Sequence, residues 1–116
     1  MFFTTVARVV VAEEPSRAVP GVKVSLFDRD SITPDDLLGT GTTGAEGEVR
    51  FDYNSKEFVD LDDRLGGVFP ELFAVVYGPD DQVMVSTRAD AVDNTPRKQL
   101  TVSVPRDLLE RHGLLG

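Results

Sequence analysis

The chain has 116 residues, of which 41% are hydrophobic and 28% charged, with no cysteine and a net charge of -8. That length holds one domain with a single core, and the composition excludes disorder, a disulfide framework, a thiol nucleophile and cysteine-ligated metals. Twelve Lys and Arg against 20 Asp and Glu argue against nucleic acid or anionic lipid as partner, since both need cationic surface to displace counterions.

The start, Met1-Phe2-Phe3-Thr4-Thr5-Val6-Ala7-Arg8, has no basic n-region, and its apolar stretch is broken by threonines and Arg8. No apolar run approaches the roughly 20 residues that span a bilayer. The expected location is the cytoplasm, unless the chain is a piece of a larger or exported protein.

Along the chain, short apolar runs alternate with Gly, Pro and Asp clusters, the pattern of an all-β domain. The first strand is expected over residues 4–12. Val22, Val24 and Leu26 alternate with polar neighbours in the second, and residues 38–43 form the third. Glu48-Val49-Arg50-Phe51-Asp52-Tyr53 alternates best, placing Val49, Phe51 and Tyr53 inward and three charges outward. Residues 56–67 carry Phe58, Leu61 and Leu65 at spacings that suit one or two helical turns on the sandwich edge. Residues 72–77 are apolar on both faces, as in a central strand covered on both sides. Val83 and Val85 mark the sixth strand, and Leu100, Val102 and Val104 the seventh. Pro105 to His112 reads as a short terminal helix that Gly113 stops. The turn signals agree: Pro20-Gly21, Gly44-Ala45-Glu46-Gly47 and Gly78-Pro79-Asp80-Asp81. An apolar sheet with few helices to cover it needs a second sheet, so the expected fold is a seven-stranded Greek-key β-sandwich. Residues 1–104 would form the sandwich and residues 105–116 a helical tail.

The stretch from Val19-Pro20-Gly21-Val22-Lys23-Val24 through Ser25-Leu26-Phe27-Asp28-Arg29-Asp30, with Pro34-Asp35-Asp36-Leu37-Leu38-Gly39 and Gly47-Glu48-Val49-Arg50-Phe51, resembles the transthyretin-like (prealbumin-like) superfamily. Its carboxypeptidase-regulatory-like and nematode transthyretin-like branches are the most similar. Pro70-Glu71-Leu72-Phe73-Ala74-Val75-Val76-Tyr77 followed by Val85-Ser86-Thr87 resembles the later hairpin of that family. The likeness covers residues 18–53 and 70–88 and specifies a fold better than an activity. Two positions depart from the pattern: Gly44 follows Thr43 where the family carries Asp, and Asp81 stands where it carries glycine. The resemblance implies a sandwich that binds, spaces or docks.

The same superfamily contains hydroxyisourate hydrolase, whose chemistry uses histidines, an arginine and a C-terminal Tyr-Arg-Gly-Ser. Here His112 is the only histidine and the chain ends Gly113-Leu114-Leu115-Gly116, so that site is not assembled. A Ser/His/Asp triad meets the same obstacle. Asp28, Asp30, Asp35 and Asp36 lie in one loop and offer hard oxygens for Ca²⁺, although Arg29 sits among them and the EF-hand glycine and glutamate are missing. Solvated turn residues are the competing reading. Leu108, Leu109, Leu114 and Leu115 are many leucines for a terminus; they either pack on the sandwich or dock a protein partner or a second copy. Gly39-Thr40-Gly41-Thr42-Thr43-Gly44 is turn chemistry, because a strand follows where a phosphate loop needs a helix. The expected function is a non-catalytic binding or assembly module acting through loops, a sheet edge or the tail. Carriage of a small apolar ligand is the first alternative, and a carboxylate-dependent hydrolase the second.

Overall fold

The computed structural model describes residues 2–29, 35–54, 71–93 and 97–115. These residues form the strands β1 (Phe2–Val11), β2 (Glu14–Ala18), β3 (Lys23–Arg29), β4 (Asp36–Thr42), β5 (Glu48–Asn54), β6 (Glu71–Tyr77), β7 (Val83–Ser86), β8 (Val92–Asp93) and β9 (Arg97–Val104), then the helix α1 (Arg106–Arg111). All seven expected strands are present, so the all-β reading holds, but the described residues form nine strands rather than seven. The additions are β2 and β8. Glu14-Pro15-Ser16-Arg17-Ala18 carries no apolar alternation and is largely exposed, and β8 is only two residues long. The helical turn expected at 56–67 lies outside the described residues.

The strands form two sheets. In the first, β1 is central: β5 and then β2 pair antiparallel along one side, and β9 runs parallel along the other. In the second the order is β4-β3-β6-β7, with β8 continuing beside β6 beyond β7. Period-two alternation then fills the space between the sheets. Ala7, Val9 and Val11 from β1 and Val102 and Val104 from β9 meet Val24 and Leu26 from β3 and Leu72, Ala74 and Val76 from β6, all almost fully buried. Each buried Val or Leu side chain contributes about 1.5–3 kcal/mol. Phe3 stacks on Tyr53 directly across the β1–β5 pair, with ring centres 5.6 Å apart. The Tyr53 hydroxyl shares a 2.9 Å hydrogen bond with buried Thr5. Burial pushes the Tyr53 phenol above its ordinary value, with the Thr5 bond opposing and the charge of Asp28 adding.

The chain changes sheet twice at one end, between β2 and β3 and between β4 and β5. Pro20 followed by Gly21 at φ +73° turns the first crossing. Thr43 leads into the second and is buried. Its hydroxyl donates to the Val19 carbonyl at 2.8 Å and accepts the Val22 amide at 3.0 Å, so one side chain bridges both flanks of the first crossing. Its backbone adds two more bonds, from the Gly21 amide and to the Val22 carbonyl. Gly47 completes this corner at φ +74°, where a Cβ would stand 2.7 Å from the Ala18 Cβ and 2.9 Å from the Val9 carbonyl. On β4, Gly39 and Gly41 leave room for Phe51 and Val49 to close the seam between the sheets.

The β6–β7 turn bears out one departure noted in the sequence. Asp81 adopts φ +63°, a conformation that normally favours glycine, and its carboxylate meets Lys23 Nζ at 3.0 Å.

Helix α1 is fastened at both ends. Glu13, from the β1–β2 turn, accepts the Arg106 amide at 2.9 Å. At the other end Gly113 takes φ +69°, its amide donates to Glu110, and the Leu114 amide donates to Leu109 at 2.8 Å. These bonds define a Schellman stop, with Leu109 and Leu114 as its usual apolar pair. Leu109 is fully buried in the core.

Two outcomes are expected. Thr43→Val should cost about 2–3 kcal/mol in urea unfolding, because two buried backbone groups lose their partner, whereas Thr43→Ser should cost about 1 kcal/mol. Leu109→Ala should cost about 2–5 kcal/mol in the same measurement; a change within about 0.5 kcal/mol would show that the tail is not part of the core.

Candidate functional site

Strand β3 and the start of β4 place three of the four carboxylates proposed as calcium ligands. Asp28 follows Val24 and Leu26 along the inward face of β3 and is 2% exposed. Asp36 lies opposite Asp28 in the β3–β4 register. Asp35 accepts two hydrogen bonds from Arg88, at 2.7 and 3.3 Å, in the forked geometry that suits a guanidinium. Arg29 donates to the Arg88 carbonyl at 2.9 Å and to Glu71 at 2.8 Å, which ties this segment to the turn after β7. Asp30 lies outside the described residues. Among the described residues no three acidic or histidine side chains come together as a metal cluster. Of the four proposed ligands, Asp35 is thus already paired with a guanidinium.

The leucines proposed for partner docking divide similarly. Leu109 is buried, and Leu108, Leu114 and Leu115 are half-buried against the core cluster. His112 ends α1 and lies over the β6–β7 turn, where a Cβ on Gly78 would stand 3.2 Å from its Nδ1. Lys23 lies 5.2 Å above the Tyr77 ring while it pairs with Asp81.

The outer face of the first sheet is chemically distinct. The registers of β5 and β9 on β1 set its side chains in rows: Asp52, Thr4 and Arg97; Arg50, Val6 and Gln99; Glu48, Arg8 and Thr101. A shallow trough of about 560 Å³ crosses these strands, lined by Thr4 and Val6 from β1, Glu48 and Arg50 from β5, and Arg97, Lys98 and Gln99 from β9. Successive residues of a strand point to opposite faces, so lining by 97, 98 and 99 together carries the trough to the edge of β9. Beyond β1, β9 pairs with no other strand among the described residues. Arg8, Arg50 and Arg97 bring three cations to this face against the carboxylates of Glu48 and Asp52, while Lys98 is in phase with the inward residues of β9. Thr4 donates to Asp52 at 2.7 Å, and Arg50 pairs with the same carboxylate at 3.1 Å. The Thr4 bond chiefly, opposed by desolvation and aided by Arg50, holds the Asp52 carboxyl below its ordinary value.

Sequence reasoning put three charges outward on β5 but did not bring them together with Arg97 and Lys98. That needs the parallel β1–β9 pairing, which joins residues more than 90 positions apart.

No protein-family model matches the chain, and no curated protein matches it. Among solved structures, a 9R-lipoxygenase from Cyanothece PCC8801 is similar at a TM-score of 0.57 and 18% identity, over 89% of this chain and 17% of that one. The likeness is therefore one of fold, and this chain spans about a sixth of that protein's length. No helix among the described residues is long and apolar enough to cross a membrane.

Because Arg88 holds Asp35, the melting midpoint should be the same in millimolar calcium and in chelator. A rise with calcium would show that the folded chain binds the ion.

Proposed function

We propose that this chain is a non-catalytic binding or assembly module of transthyretin-like kind, which meets a protein partner through the outer face and β9 edge of its first sheet. The trough across β5, β1 and β9 carries this reading. Side chains fill the space between the sheets, the seam on the β4–β5 side is closed by Phe51 and Val49, and the tail leucines pack on the core. Among the described residues β9 offers eight residues of strand with no partner beyond β1, exposed outward and mostly apolar inward. An open strand edge is a template for pairing with another chain.

The stretches that carry the family resemblance supply β3, β4, β5, β6 and β7, and this supports the transthyretin-like reading. The 9R-lipoxygenase likeness adds a fold-level analogy: there a sandwich of this form is one part of a much longer chain, which agrees with an accessory role. An aqueous, cytoplasmic setting and the absence of a resident cofactor belong to the same proposal.

The test is affinity capture from the native lysate with the wild type and with Arg50→Ala/Arg97→Ala/Lys98→Ala. A defined protein should be retained by the wild type and lost from the variant. Equal retention by both, or none by either, would overturn this surface as the point of contact.

A further inference from the structure

We draw no further inference here: the strongest candidate, the apolar outer face of the second sheet, where Phe27 stacks on Phe73 and both Phe73 and Val75 are buried although they face away from the core cluster, carries nothing because the described residues do not show what covers it.

Discussion

One hydroxyl holds the two layers in place. The side chain of Thr43 stands between Val19 and Val22 and supplies the hydrogen bonds that these buried backbone groups do not make with each other. Because Val19 ends the first sheet's share of the chain and Val22 begins the second's, the bond fixes where one layer stops and the other starts. Thr43 is itself at the return crossing, so two of the four passages between the sheets are pinned at one point. Burial supplies the gross stability, but burial is not directional. The threonine adds direction, and the small residues around it, Gly21 and Gly47, allow backbone to approach backbone there.

Much of this architecture was legible in the residue pattern. Alternation at Val22, Val24 and Leu26, and again at Val49, Phe51 and Tyr53, placed the inward faces correctly because a pleated strand has no other way to bury every second side chain. Leu72 to Val76 showed a strand covered on both sides, and the structure buries them all. What escaped was held by partners rather than by local pattern. Strand β2 exists because β1 runs on past the end of β5 and has an edge to offer, a fact absent from Glu14-Pro15-Ser16-Arg17-Ala18 itself. Proline tolerates this place because it lies at a sheet edge.

The site followed the same rule. Carboxylates close in sequence drew attention to Asp28, Asp30, Asp35 and Asp36, yet Arg88, over fifty positions away, decides what Asp35 does. The tail leucines drew attention as a sticky surface, yet their spacing around Gly113 is a helix stop whose apolar pair happens to seal the core. A leucine one residue after such a glycine and another four before it is a readable signal, and it points inward. The cations of the trough carried no local signature at all. They become neighbours only when three strands are laid side by side.

The parallel pairing of β1 with β9 has a consequence for how the molecule is made. The chain's first strand is central in its sheet, and one of its two flanks belongs to the last strand. During synthesis that flank stays bare until β9 has been made, so a chain that still lacks β9 carries an open strand edge on β1. Contacts this distant in sequence also form late and slowly. Until β9 docks, that flank is where the folding chain is most open to pairing with the wrong strand.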